Sequence, residues 1–225
     1  MTHFSDGVRV GRSFALNGSA ALAGGPTSPI FIYDVVPATL DADGIAQAQA
    51  VGAAGNLTIN GALASGGVAT FDVPRGVSVT STSAGDTTQT ATVYGTDAYG
   101  VAIQENIAFN GAATISGKKA FKTVTRVAIS AALAGNGSAG TTDVLGLPYA
   151  VSTRNYMVTF DNGAQVTNGT FVAADATTAT ATTGDVRGTF DPNTACNGTV
   201  RFTLWMFLKD TDTRAGLYGV TQFNG

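Results

Sequence analysis

Catalysis near neutral pH needs a base, a nucleophile or a metal site, and this chain holds few side chains for any of them. His3 is its only histidine, close to the start of the sequence, so a serine or cysteine triad lacks its imidazole in a folded region. Cys196 is the only cysteine. Beside Asn197-Gly198 it falls in an expected turn without a partner thiol, and it reads as a bystander. One cysteine and one histidine cannot fill a tetrahedral zinc site. Glu105 is the only glutamate, so the paired carboxylates of a glycosidase would have to be aspartates, and no spacing singles out a pair. Asp41-Ala42-Asp43-Gly44 has the opening of a calcium loop, with oxygens two residues apart before a glycine, but no glutamate closes it. Whether Asp41 and Asp43 hold a cation stays open. Asp210 and Asp212 form a second, weaker pair. The inventory points away from an enzyme, with no catalytic residues, cofactor or metal expected.

Recognition chemistry is equally sparse. Gly24-Gly25-Pro26, Gly66-Gly67 and Gly135-Asn136-Gly137 lack the lysine and the following helix of a phosphate loop and read as turns. Lys118, Lys119 and Lys122, beside Phe121, are too few for a nucleic-acid patch and read as a solvated strand edge. The formal charge is −3 and the pI about 4.9, with 12 Lys plus Arg, so no basic face awaits nucleic acid. Four of five Asn-X-Ser/Thr sequons, at Asn17, Asn136, Asn168 and Asn197, are Asn-Gly-Ser or Asn-Gly-Thr, as a hairpin turn entering a threonine-rich strand would produce; the fifth is at Asn56. Trp205, Phe207, Phe202 and Tyr218 could form either a sugar-stacking platform or a core. Trp205 and Phe207 share the strand face opposite Phe202 and Leu204, so this strand is apolar on both sides. It is either central in a sandwich or pressed against another subunit. With Ile30, Phe31 and Tyr33 of the short apolar strand near residue 30, Trp205 and Phe207 are the candidate interface residues.

The elements that must position these groups are strands. The chain has 225 residues in 22.6 kDa, 29 of them glycine, with 12% charged residues and a mean hydropathy of +0.18. That excludes global disorder, which needs low hydrophobicity and high net charge. Aperiodic glycine excludes collagen. The longest apolar run, Leu204 to Leu208, ends at Lys209 and is too short to span a bilayer. The first residues lack the basic and apolar blocks of a signal peptide, and a single cysteine precludes an internal disulfide, so assembly in a reducing cytoplasm is expected. Val77 and Val79, then Thr90 to Tyr94, then Ile103, Ile107 and Phe109, show the period-two alternation of half-buried strands. Tyr156, Val158 and Phe160 share one face, and so do Val200, Phe202, Leu204, Met206 and Leu208. Only Asp43 to Ala53 suggests a helical turn. Eight Asn-Gly dipeptides and the loop Asp97-Ala98-Tyr99-Gly100 imply several antiparallel hairpins. Three regions follow: an N-terminal arm with short strands over 1–66, a β-sandwich core over 67–148, and a second, small β-rich region over 149–225.

The tract Val68-Ala69-Thr70-Phe71-Asp72-Val73-Pro74-Arg75, continuing through Val77 to Thr82, resembles virion proteins of tailed bacteriophages. So do Val93-Tyr94-Gly95-Thr96-Asp97-Ala98-Tyr99-Gly100, Glu105, Asn110-Gly111, and Gly117 through Val124. The similarity spans roughly residues 50 to 148, with the C-terminal region alike only in style, and is nearest to capsid decoration, or cement, proteins. It implies an all-β antiparallel sandwich, immunoglobulin-like or jelly-roll-like, with an extended N-terminal arm. It also implies a structural protein located in the virion that binds the outer face of the head shell, with the major capsid protein as partner, and trimers at three-fold positions. No nucleic acid or membrane partner is implied. The alternative is a tail or fibre module that recognises a host-surface glycan through the C-terminal aromatics.

Overall fold

The computed structural model describes residues 9–11, 30–175, 177–207 and 220–225. His3, Asn17, Gly24, Gly25, Pro26, Leu208, Lys209, Asp210, Asp212 and Tyr218, singled out above, lie outside them. The described chain is all-β, with one 3-10 turn at Arg154–Tyr156, and no helix in it is long and apolar enough to cross a membrane. The strands are β1 (Arg9–Gly11), β2 (Ile30–Val35), β3 (Ala46–Ala50), β4 (Gly55–Leu57), β5 (Ala64–Ser65), β6 (Val68–Ser81), β7 (Thr90–Thr96) and β8 (Ala102–Ala108). They continue with β9 (Ile115–Ile129), β10 (Asn136–Gly146), β11 (Met157–Asp161), β12 (Ala164–Val166), β13 (Thr170–Val172), β14 (Thr189–Asp191) and β15 (Phe202–Phe207).

Two antiparallel sheets result. The smaller runs β1-β2-β15-β11-β12; the larger runs β13-β14-β10-β6-β9-β7-β8, with β3 on β10, β4 on β9 and β5 on β6, and it curls into a half-barrel. The three stretches read from composition do not correspond one-to-one to sheets. The smaller sheet joins residues 30–35 to 157–166 and 202–207, and the larger draws on all three stretches.

Alternation explains most of the strands. Along β6, Ala69, Phe71 and Val73 point inward, and the pattern then breaks around Pro74, where the register shifts against β9. Proline cannot donate to a ladder, so a bulge is where a central strand tolerates it. Beyond it, Val77 and Val79 join Val93, Ile103, Ile107 and Phe121 inside the half-barrel. Phe31, Tyr33, Leu204 and Met206 pack with Leu147 and Phe190, and Val73, Leu145 and Cys196 pack with Phe202. These two clusters join the sheets.

Several local expectations are corrected. Residues 46–50 form β3, hydrogen-bonded to β10, in place of a helical turn. Gln49 fixes the extended path: its Oε1 accepts from Thr58 N and its Nε2 donates to Thr58 O. Along β11, Val158 and Phe160 do share one face, the outward one, with Met157 and Thr159 on the interior face, whereas Tyr156 is exposed in the 3-10 turn before the strand. Of the described Asn-Gly pairs, only Asn162-Gly163 joins two strands by a two-residue turn, with both φ positive (48° and 84°) between Asp161 and Ala164. Gly66-Gly67 does the same between β5 and β6, whereas Asn136-Gly137 lies inside β10.

Gly95 is required by a close approach. The register of β7 on β9 shifts there, and a Cβ at Gly95 would overlap the Thr123 carbonyl oxygen. Gly95→Ala should lower stability by about 3 kcal/mol and the Tm by roughly 10 °C. Gly52→Ala, where a Cβ meets nothing within 4 Å, should leave the Tm nearly unchanged, and calorimetry on both variants checks this.

Candidate functional site

The densest polar constellation lies at the loop that joins β7 to β8. Asp97 closes that hairpin: its Oδ1 accepts Tyr99 N at 2.8 Å and Val101 N at 2.9 Å. Its Oδ2 accepts Arg187 Nη1 at 2.7 Å and Gln222 Nε2 at 3.0 Å. Both members of this ion pair are 2% exposed. The guanidinium also stacks 4.7 Å from the centre of the Tyr99 ring, and Tyr99 Oη donates to Pro148 O at 2.6 Å. Arg187 reaches this position from the turn before β14. There Asp185 Oδ1 accepts Arg187 N at 2.8 Å and Gly188 takes φ of +87°.

Next to this pair lies a buried acid, amine and acid set. Glu105 shares the inward face of β8 with Ile103 and Ile107. Its Oε1 accepts Lys118 N and its Oε2 accepts Lys119 N at 3.3 Å. Gly117 is needed beside it, because a Cβ there would overlap the Glu105 carboxylate. Asp185 Oδ2 accepts Ala120 N at 3.0 Å. Lys119 is 1% exposed, and its Nζ has no hydrogen-bond partner among the described residues.

Burial decides the charge states. It pushes the Glu105 carboxyl up to about 7, against the pull of the Lys118 and Lys119 amides. It raises Asp185 as well and lowers Lys119. Moving an isolated ion out of water carries a penalty of several kcal/mol, so such groups shift toward their neutral forms. The site therefore sets a protonatable carboxyl and a second carboxyl on the stretch of backbone that carries a desolvated amine, with backbone N–H groups on both acids.

Sequence reasoning missed this set, although the signal was present. Glu105 stands midway between Ile103 and Ile107 in an alternating strand and so had to point with them into the core. The lysine reading is corrected: β9 lies between β6 and β7 rather than at an edge. Lys119 turns inward, Lys118 Nζ donates to Thr182 O, and Lys122 Nζ donates to Asp72 O. Cys196 is also corrected, from a turn to the core beside Val200 and Phe202. Burial pushes its thiol up to about 12, which makes it a poor nucleophile.

The candidate interface residues divide between two faces. Ile30, Phe31 and Tyr33 are buried within the chain, with Phe31 and Tyr33 in the core shared by the sheets. Trp205 and Phe207 are half-buried on the other face of β15, opposite Ile32 and Ile30 of β2 respectively. Val158 pairs with Trp205 across β11, and the Phe160 ring lies 4.8 Å from that of Trp205 at a 50° tilt. Asp41 turns its carboxylate onto its own loop, where Oδ1 accepts Asp43 N at 3.3 Å. No group of three or more His, Cys, Asp or Glu able to hold a metal occurs among the described residues. A pocket of about 210 Å³ opens between the sheets, lined by Tyr33, Val35, Val73, Pro74, Tyr99 and Pro148 among others.

No protein-family profile, no curated protein and no solved structure matches the chain.

Because Glu105 holds its proton more tightly folded (about 7) than at its ordinary value of 4.5, folding takes up a proton between those values. The stabilisation is complete below about pH 4.5 and is lost as pH rises through about 7. Between pH 5 and 8 the wild-type protein should therefore lose up to about 3 kcal/mol relative to Glu105→Gln. Urea unfolding of both proteins across this range measures the difference, and parallel pH profiles would refute it.

Proposed function

We propose that this chain is a structural protein of a tailed-bacteriophage virion that binds the outer surface of the capsid and braces it, without catalysis. The observation that carries this reading is the outward face of the smaller sheet. There Ile32, Val158, Phe160, Trp205 and Phe207 form a half-buried apolar surface across three adjacent strands. Such a contiguous surface on a sheet fits a protein contact. The tilt of Phe160 against Trp205 favours interdigitation with a partner over the flat platform on which a sugar ring stacks. The partner is the major capsid protein, and neither nucleic acid nor membrane is engaged.

The two antiparallel sheets support the finer reading of an immunoglobulin-like or jelly-roll-like sandwich, and the N-terminal arm belongs to the proposal on the sequence alone. The resemblance to decoration proteins adds a trimeric state. Attachment in many copies to a symmetric shell lets modest individual contacts hold through avidity. The buried charged groups described above are engaged mainly with the chain itself, which accords with a bracing role in place of turnover.

Co-sedimentation with expanded capsids tests the proposal. The wild-type protein should pellet saturably with capsids, and Trp205→Ser/Phe207→Ser should weaken binding by about 30-fold or more, the loss of roughly 2 kcal/mol at a central aromatic contact, while circular dichroism stays unchanged. Failure to bind capsids overturns the reading. Saturable binding to host cells that the same substitutions abolish would assign the chain to a tail or fibre.

A further inference from the structure

We propose that Lys119 and Asp185 join in an intramolecular isopeptide bond, formed autocatalytically with Glu105 as the proton shuttle, so that β9 becomes covalently tied to the turn before β14. Two carboxyl groups converge on the short piece of backbone that carries Lys119. Asp185 Oδ2 accepts the amide N–H of Ala120, the residue directly after Lys119, at 3.0 Å. Glu105 accepts the amides of Lys118 and Lys119 themselves. Lys119 is buried with its Nζ free of hydrogen bonds among the described residues, a state that a charged ammonium tolerates poorly and a neutral, nucleophilic amine tolerates better.

The carboxyl groups around Lys119 are not equivalent. Asp175 is held ionised by its hydrogen bonds to Thr177 and Gly184, and a carboxylate resists attack. Asp185 is enclosed and pushed toward its protonated, electrophilic form. Its two oxygens each face one backbone N–H, Ala120 on Oδ2 and Arg187 on Oδ1, which suits them to hold the oxyanion of a tetrahedral adduct. Glu105, with its carboxyl near 7, exchanges protons in both directions at neutral pH.

The step balances without any co-reactant. The Lys119 side chain rotates about its flexible four-carbon stem to bring Nζ to Cγ of protonated Asp185. The nitrogen lone pair forms the N–C bond, and the C=O electron pair moves onto oxygen. Glu105 takes a proton from Nζ and passes it to the hydroxyl of the adduct. That hydroxyl leaves as water, the C=O re-forms, and an amide remains with Glu105 in its starting state. Two buried ionisable groups are thereby replaced by one neutral amide.

Mass spectrometry of the purified full-length protein, denatured after incubation at pH 7, decides the matter. The expected intact mass is lower than that of the sequence by one water. The tryptic map should lack cleavage after Lys119 and contain one branched peptide joining residues 119–122 to residues 155–187. Lys119→Arg and Glu105→Gln should restore the unlinked mass. Asp185→Asn should lose one ammonia in place of water, because the leaving group changes. A wild-type protein at its full sequence mass, with Lys119 cleaved normally, overturns the proposal. So does a branched peptide that joins Lys119 to Glu105 or Asp175.

Discussion

The Arg187–Asp97 ion pair, closed to solvent at 2.7 Å, holds the junction on which much of the structure depends. The Asp97 carboxylate fixes the loop of the β7–β8 hairpin through two backbone amides. Arg187 brings the turn before β14 against that hairpin, and Gln222 adds the C-terminal residues to the same carboxylate. Breaking one member of such a pair strands the other without water or counter-charge, so these segments are organised together. Arg75 plays a parallel part elsewhere. Buried within β6, it donates from Nε to Thr142 O, from Nη1 to Ala38 O and from Nη2 to Asp143 Oδ1. The planar guanidinium suits both places, because its five donors satisfy several carbonyl and carboxylate acceptors at once.

Small residues make these arrangements possible. Gly117 lets the Glu105 carboxylate approach β9, Gly95 lets β7 approach the Thr123 carbonyl, and Gly146 packs against Ala120 where a Cβ would overlap. The glycine content is therefore partly a packing requirement of the larger sheet, beyond its use in turns. Ala69, Ala91 and Ala139 serve similarly, fully buried in the half-barrel among valines, isoleucines, two leucines and three phenylalanines. A core built this way offers less apolar area per residue than one rich in leucine. Internal ion pairs and carboxylate-to-amide bonds supply part of the remaining organisation. Asp86, for example, accepts Ser81 Oγ and the amides of Ala134 and Gly135.

The polar and apolar features separate in space. One group of buried ionisable side chains lies around β8, β9 and the turn at Asp185, where it acts on the chain itself. The apolar surface of Trp205 and its neighbours lies on the outer face of the other sheet. The proposed bracing role would use this division, with internal ties within the chain and an outer face for a partner.

Period-two alternation in the amino-acid sequence is a local property of the backbone, and it was enough to establish an all-β chain and to place Val77, Val79, Ile103, Ile107, Phe202, Leu204 and Met206 on inward faces. It also marked Trp205 and Phe207 as lying on the opposite face. The helical turn expected near residue 46 failed because Gln49 bonds to Thr58 and β3 pairs with β10, contacts that no local pattern encodes. Lys119 looked like surface charge because three lysines crowd one stretch; only the central position of β9 and its own irregular register against β6 between Ser116 and Ala120 turn that side chain inward. The meeting of Glu105, Lys119 and Asp185, and of Asp97 with Arg187 across 90 positions, was decided by tertiary structure alone. Strand order and register, set by the packing of whole sheets, bring distant residues together, whereas sequence spacing governs only neighbours within a strand or turn.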